Sequence, residues 1–163
     1  KLDSNANAFV DQLDQLTHMV DGGASLLLMN TTMLLKVRAA ARRAGYYDRK
    51  KDDFGRAVEY FGDIPIMDAG MYYNGTKSVD VIDTSTPSTT AAGTSSIYAV
   101  NIALDGFHGI SPTGTGVINS YMPDLKAPGA VKKGEVELVA GVVLKNTLKA
   151  AALNGIILKP KTA

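Results

Sequence analysis

The sequence predicts an α+β domain, and three observations indicate this class. Apolar residues recur at helical spacing in two early segments, from Phe9 to Val20 and from Met33 to Ala44. Most later apolar residues alternate with polar ones or form short runs between turn residues, which is typical of strands. No repeat with a fixed period of 20 to 50 residues is present, which argues against a solenoid. The 163 residues suffice for one domain, or for two small ones.

Composition excludes several classes of function. The net charge of +1 gives no general reason to expect nucleic acid or a membrane as partner, and no apolar run is long enough to span a bilayer. The absence of cysteine excludes disulfides, thiolate metal sites and cysteine nucleophiles. Because the chain starts at Lys1, without Met and just before a helix cap, we expect a fragment or a processed product.

The first helix is predicted to begin at Ser4, whose hydroxyl can accept from a free N–H of the first turn. Its apolar positions recur at spacings of four, three and four residues: Phe9, Leu13, Leu16 and Val20. Gly22 and Gly23 are predicted to end it, because glycine adopts the left-handed conformation without steric cost.

A buried strand and a second helix are predicted next. The strand covers Ala24 to Met29, and Asn30 or Thr31 can cap the helix that follows. Gly45 is predicted to close this helix. Its apolar stripe comprises five residues: Met33, Val37, Ala40, Ala41 and Ala44.

Four strands are predicted between residues 56 and 82. Arg56 to Phe61 and Ile64 to Met67 form the first pair, and Pro65 should lie at an edge or a strand start because it cannot donate a ladder hydrogen bond. Met71 to Tyr73 and Lys77 to Ile82 flank Asn74-Gly75, a strong hairpin signal.

The remaining segments alternate between loops and strands. Thr84 to Ser96, rich in Thr, Ser and Ala, is predicted to be a surface loop. Ser96 to Leu104 and Val117 to Met122 are predicted strands. The intervening Gly106 to Gly116 is turn-rich, and Pro123 to Gly134 is a loop.

The last predicted elements are a strand, a short helix and a final strand. Glu135 to Leu144 alternates strongly, so we expect the first helix to pack on a sheet that includes it. Thr147 to Leu153 is predicted to be a short helix and Ile156 to Leu158 a short strand. The inward face of the long strand is predicted to carry Val136, Leu138, Ala140 and Val142.

Basic residues cluster between residues 36 and 56, where eight of them stand against Asp48, Asp52 and Asp53. A solvated helix face with a charged loop, a phosphate- or nucleic-acid-binding surface, and a subunit contact are all compatible with this pattern. The interleaving of signs favours a loop that contacts a neighbouring subunit rather than a nucleic-acid site. The eight basic residues are Lys36, Arg38, Arg42, Arg43, Arg49, Lys50, Lys51 and Arg56. The candidate contact loop comprises Asp48, Arg49, Lys50, Lys51, Asp52 and Asp53.

The search for catalytic and ligand-binding residues is largely negative. His18 is interpreted as a packed or partly exposed helix residue. Asp105 and His108 could orient a general base in a hydrolase, but a turn beside a strand end is the favoured interpretation. The carboxylates of the basic segment have basic neighbours that compete with a metal ion. We therefore predict no catalytic residue, no cofactor and no metal. Five tyrosines are expected in strands, at core or interface positions: Tyr46, Tyr47, Tyr72, Tyr73 and Tyr98.

The order of several short motifs resembles the C-terminal two-thirds of tailed-bacteriophage major capsid proteins, whose fold is shared with encapsulin shells. Each motif is short, and the resemblance rests on their order and spacing. The motifs are Val20-Asp21-Gly22-Gly23, Leu27-Leu28-Met29-Asn30, Phe61-Gly62-Asp63-Ile64-Pro65-Ile66, Ser96-Ile97-Tyr98-Ala99-Val100, the stretch from Glu135 to Leu144, and Ala150 to Ile156.

The resemblance implies an α+β capsid fold with two domains. A long spine helix on an antiparallel sheet would form a peripheral domain from about 1–30, 135–163 and part of the middle. An inserted α/β axial domain would come from about 31–134. The N-terminal arm and extended loop of the family would precede Lys1.

The resemblance also implies a structural function. The parent would be a major capsid subunit of a phage or prophage that forms pentamers and hexamers in the host cytoplasm and encloses DNA non-specifically. An encapsulin-like compartment shell is the alternative within the same fold. Without the arm and loop, residues 1–163 alone are expected to be a monomer or a weak oligomer.

Overall fold

The computed structural model describes residues 6–45, 47–51, 55, 57–84, 93–114, 116–123, 125–126 and 128–158. The helices are α1 (Ala6–His18) and α2 (Thr31–Ala44). The first six strands are β1 (Leu26–Met29), β2 (Tyr47–Lys51), β3 (Ala57–Phe61), β4 (Ile64–Asp68), β5 (Met71–Tyr73) and β6 (Ser78–Asp80). The later strands are β7 (Thr94–Val100), β8 (Phe107–Ile110), β9 (Ile118–Tyr121), β10 (Glu135–Leu138), β11 (Gly141–Leu144) and β12 (Ala150–Ile157).

A six-stranded sheet forms the centre of the fold, in the order β12-β7-β1-β4-β3-β2. The sheet is mixed rather than antiparallel as predicted, because β1 and β4 run parallel. Between them the chain passes through α2 and the β2–β3 pair, a crossover long enough to return it to the same end of the sheet. The prediction of an α+β class is confirmed, and its antiparallel sheet is corrected.

The core lies between this sheet and the two helices. The predicted stripe of α1 is buried, and Leu13 is fully inaccessible to solvent. The predicted stripe of α2 is buried as well, except for the partly buried Ala44. From the sheet, the large side chains of Leu27, Met29 and Ile97 are fully buried and belong to the same core cluster as these helices.

Helix α2 ends at its predicted glycine, whereas α1 ends earlier than predicted. Helix α1 spans 13 residues to His18, and the turn after it contains Gly22 and Gly23, with φ of 75° and 82°. Asn30 caps α2, because its side chain accepts a 2.8 Å hydrogen bond from the Met33 N–H. Gly45 ends α2 with φ 79°, and its N–H donates to the Ala41 carbonyl. The predicted cap Ser4 lies outside the described residues.

The prediction that Glu135 to Leu144 forms one long strand of the central sheet is wrong. This segment is divided at Val139 and Ala140 into two strands. Strand β10 pairs with β9 and β11 pairs with β8, so each belongs to a two-stranded ribbon outside the central sheet. Helix α1 instead packs on α2 and β12. Alternation of apolar residues predicts a strand with one apolar face, but it does not specify which element covers that face.

Three further predictions need correction. Thr147 to Leu153 is helical only as a 3₁₀ turn over Thr147–Lys149, because the Ala150-Ala151-Ala152 run pairs with β7 in spite of its helix propensity. The loop predicted from Thr84 to Ser96 ends earlier, at β7, and residues 85–92 lie outside the described part. The turn-rich Gly106 to Gly116 contains β8.

The smaller predictions for residues 57–82 are confirmed. Pro65 is the second residue of β4 and precedes the pairing with β1, which begins at Ile66. The hairpin at Asn74-Gly75 forms between β5 and β6. Within the described ranges, no helix is long and apolar enough to cross a membrane.

The two predicted domains share one sheet in the described part of the chain. Strand β1, assigned to the peripheral segment 1–30, pairs with β4 and β7 from the axial segment 31–134. Strand β12, from segment 135–163, pairs with β7. The division into peripheral and axial domains stays a prediction.

Leu13→Ala tests the core assignment. We expect a loss of about 2–5 kcal/mol in the free energy of unfolding, because truncation removes buried apolar contacts and leaves a cavity. Denaturant titration measures this loss. Gln12→Ala, on the exposed side of α1, is the matched control and should change stability by less than about 0.5 kcal/mol. Equal effects of the two substitutions would contradict the assignment.

Candidate assembly surfaces

A β arm extends from the central domain through residues 107–144. Strands β8 and β9 run outward, and β10 and β11 return beside them. The Val139 N–H donates to the Val117 carbonyl where the two ribbons meet. None of the described residues in this range is buried, so the arm adds nothing to the hydrophobic core.

The outer ribbon of the arm, β9–β10, is amphipathic. Ile118 pairs with Leu138, and Ser120 with Val136, so these residues share one face. The three large side chains of that face are 66–76% exposed. The opposite face carries Asn119, Tyr121, Glu135 and Glu137.

An uncovered apolar face on a two-stranded ribbon marks a contact surface. A ribbon of this kind is marginally stable by itself and gains order when its apolar face is packed against another surface. Large exposed apolar patches on folded proteins indicate interaction sites. The apolar face of β9–β10 is therefore the strongest candidate interface in the described chain.

The base of the arm is held by Lys149. Its side chain is only 12% exposed, and Nζ lies 3.4 Å from a carboxylate oxygen of Asp21 and 3.4 Å from one of Asp105. Burial of the ammonium group by itself lowers the pKa of Lys149, but the hydrogen bond and charge of Asp21, together with Asp105, outweigh it. The pKa of Lys149 is therefore raised above its ordinary 10.5.

Backbone hydrogen bonds reinforce this base. The Asn101 N–H donates to the Lys149 carbonyl, and the Phe107 N–H donates to the Asn101 carbonyl, each over 2.9 Å. The buried Asn101 amide donates to the Gly23 carbonyl over 2.6 Å. A Cβ on Gly106 would lie 2.6 Å from the Asn101 carbonyl oxygen, so this close approach requires glycine. Both ends of the arm are thus tied to the turn that follows α1.

The predicted contact loop at 48–53 is in part a strand. The backbone of Asp48, Arg49, Lys50 and Lys51 belongs to β2, the outermost strand beside β3, because it pairs in register with Ala57–Tyr60. The Lys50 ammonium lies 3.8 Å from Asp63 and 5.2 Å from the centre of the Tyr60 ring. Asp52 and Asp53 lie outside the described residues. A role for this edge in subunit contacts stays a prediction.

The basic segment is divided between internal and surface positions. Arg38 binds Glu59 through two short contacts, Nε to Oε2 at 2.8 Å and a terminal guanidinium nitrogen to Oε1 at 2.7 Å. This bidentate pair joins α2 to β3. Arg42 and Arg43 are exposed in the last turn of α2. Among the described residues no group of three potential metal ligands occurs.

The β5–β6 hairpin carries large exposed side chains. The sequence analysis expected its two tyrosines at either core or interface positions, without choosing between them. Tyr72 is 54% and Tyr73 68% exposed. The Asn74 side chain accepts from the N–H groups of Thr76 and Lys77 and fixes the turn. The core alternative therefore does not apply to these two tyrosines, and the interface alternative stays a prediction. The Asn74-Gly75 signal located the hairpin without revealing that it projects.

The histidine candidates are not brought into a catalytic arrangement. His18 is exposed at the end of α1. The Nδ1 atom of His108 lies 3.3 Å from the Gly106 carbonyl oxygen. The Asp105 carboxylate contacts Lys149. The sequence analysis did not identify Lys149, because an isolated lysine after an apolar strand gives no sequence signal for a partly buried charge.

Comparisons with known proteins identify the fold. No protein-family model and no curated protein matches this sequence. Among solved structures, the chain is similar to the encapsulin of the holo-SrpI complex from Synechococcus elongatus, with a TM-score of 0.62 and 13% sequence identity. The match covers 94% of this chain and 51% of the encapsulin chain, so this chain spans about half of its length. The protein therefore has the capsid fold of encapsulin shells.

Lys149→Met tests the charged base of the arm through its pH dependence. A raised folded-state pKa contributes stability that is complete below the ordinary lysine pKa and is lost as pH rises through the raised value. We therefore expect the stability difference between wild type and Lys149→Met to be constant near neutral pH and to shrink above about pH 10.5. Denaturant unfolding at a series of pH values measures it. Lys133→Met, at an exposed loop position, is the control, and an equal pH trend in both variants would refute the assignment.

Proposed function

We propose that the protein is a structural, shell-forming subunit. The observation that carries the proposal is the uncovered apolar face of the β9–β10 ribbon on a domain with the capsid fold. A shell subunit needs complementary surfaces that symmetry repeats, and an exposed apolar ribbon suits such a contact. The proposal assigns no catalytic residue, cofactor or metal.

Within this class we favour the major capsid subunit of a tailed bacteriophage or prophage, assembled in the host cytoplasm into a head that encloses DNA. The support is the motif order of the sequence, from Val20-Asp21-Gly22-Gly23 to Ala150–Ile156. An encapsulin-like compartment shell is the second candidate, because the structurally similar chain belongs to an encapsulin complex.

Electron microscopy of the complete gene product tests the class. We expect closed icosahedral particles, since the capsid fold is suited to symmetric contacts. Nuclease-protected DNA inside them would favour the phage capsid, and protein cargo without DNA would favour the compartment. A gene product that stays monomeric at high concentration in its own host, without particles, would contradict the shell proposal.

Val136→Lys with Leu138→Lys tests the arm. Charges on the apolar face would have to be desolvated in the contact, so we expect assembly to be abolished. The free energy of unfolding should change by less than about 0.5 kcal/mol, because both residues are exposed.

The matched control is Glu137→Lys, which changes charge on the opposite face of the same strand and should leave assembly intact. Sedimentation velocity reports the particles, and circular dichroism reports the fold. Normal assembly of the double variant would remove the arm from the proposal.

A further inference from the structure

We propose that Asn74 is a site of self-modification, at which the side-chain amide is converted to a carboxylate through a succinimide. The backbone nitrogen of Gly75 is the nucleophile, and the side-chain carbonyl of Asn74 is the electrophile. Solvent water is the only other reactant. This inference does not depend on the shell proposal, because the reaction takes place within the β5–β6 hairpin of a single copy.

The turn between β5 and β6 presents an unobstructed nucleophile. The Asn74 N–H donates to the Lys77 carbonyl over 3.1 Å, so Gly75 and Thr76 form the turn between the two strands. Gly75 has φ 91°, which glycine adopts without strain at the first central position of such a turn. No heavy atom lies within 4 Å of the position that a Cβ on Gly75 would occupy. Its nitrogen is therefore not shielded by a side chain.

The electrophile is held between two hydrogen-bond donors. The Oδ1 atom of Asn74 accepts from the Thr76 N–H over 3.1 Å and from the Lys77 N–H over 3.0 Å. Because both partners are donors, the atom between them is the carbonyl oxygen and not the amide nitrogen. Attack on Cγ develops negative charge on this oxygen. The two N–H groups then act as an oxyanion hole, which the turn has organised before the reaction begins.

The reaction balances with water as its co-reactant. A bond forms between the Gly75 nitrogen and Cγ of Asn74, the Cγ–Nδ2 bond breaks, and ammonia leaves with the proton of the Gly75 N–H. Water then hydrolyses the succinimide at either carbonyl, which gives aspartate or isoaspartate. In the described part of the chain the Gly75 N–H donates to no group. Asn74, Gly75 and Thr76 are all exposed, so both water and base reach the site.

A second Asn-Gly pair in the chain lacks the two fixed donors. Asn154-Gly155 lies within β12, at the irregularity between Leu153 and Ile156 in the pairing with β7. Both residues of the pair are exposed, and Gly155 also has a positive φ, of 73°. Among the described residues none forms a hydrogen bond with the Asn154 side chain. We therefore expect Asn74 to react before Asn154.

The modification changes the charge of an exposed surface, and one product also changes its shape. Either product adds a negative charge beside the exposed Tyr72 and Tyr73. Aspartate keeps an oxygen that accepts from Thr76 and Lys77, and Asp-Gly suits the same turn. Isoaspartate lengthens the main chain by a methylene group, so it disturbs the register of the hairpin. Copies that have reacted therefore present a different hairpin tip.

Peptide mapping by mass spectrometry tests the site on the complete gene product, incubated at neutral pH. We expect Asn74 to be converted at least about tenfold faster than Asn154 in the folded protein, because even one fixed donor to an oxyanion has an effect of this size or larger. In urea neither side chain has fixed partners, and the two rates should approach each other. Equal rates at the two sites in the folded protein would overturn the proposal.

Thr76→Pro tests the donors, because proline has no N–H to offer to Oδ1. Conversion of Asn74 should slow at least about tenfold, while that of Asn154 stays the same. A variant whose hairpin opens also loses the Lys77 donor, so the same slowing is expected there. An unchanged rate at Asn74 would refute the role of the donors.

Two further variants identify the reacting side chain. Asn74→Gln should abolish conversion at the hairpin, because the longer side chain closes a ring with the next nitrogen less readily. Asn154→Gln is the matched control and should leave conversion at the hairpin unchanged. Conversion that persists in the hairpin peptide of Asn74→Gln would show that Asn74 is not the reacting residue.

Discussion

The packing of α1 and α2 against one face of the six-stranded sheet is the interaction on which the rest of the structure depends. Leu13, Met33 and Ile97 meet there without access to solvent. The Asn30 side chain serves this core twice, since it caps α2 and donates to Ser95 on β7. Burial of these groups supplies the stability of the domain. Every projecting element, the hairpin and the arm included, takes its position from this core.

The arm lies outside that core. Its strands satisfy each other's backbone groups, but none of its described residues is fully buried, so the arm is anchored at its base. At that base a nearly buried lysine bridges two carboxylates from separate segments. An ammonium group held there without its partners would pay a desolvation cost. The charged cluster therefore specifies where the arm leaves the domain, while its outward apolar face depends on a partner surface.

The proposed structural function draws on the fold and on the exposed surfaces for different reasons. The likeness to the encapsulin chain, at 13% identity, concerns backbone architecture, and a fold by itself does not define function. The surfaces are properties of this sequence. The β9–β10 ribbon and the β5–β6 hairpin both carry exposed large apolar side chains. Such surfaces suit a molecule with several distinct contacts per copy, in which individually weak interfaces gain strength by multiplicity.

The sequence by itself determined the local elements. The apolar stripes of α1 and α2, a cap at Asn30 or Thr31, the Gly45 terminus and the Asn74-Gly75 hairpin follow from side-chain spacing and backbone preference, which act over a few residues. Only the tertiary structure decided how the strands pair. Val136 and Leu138 alternate like core residues yet lie on an uncovered ribbon, whereas the alanine run at 150–152 joins the central sheet. Strand pairing depends on partners distant in the chain, and the same alternation fits a core face and an interface face. For the same reason the Lys149 base, made from three separated segments, had no sequence signature.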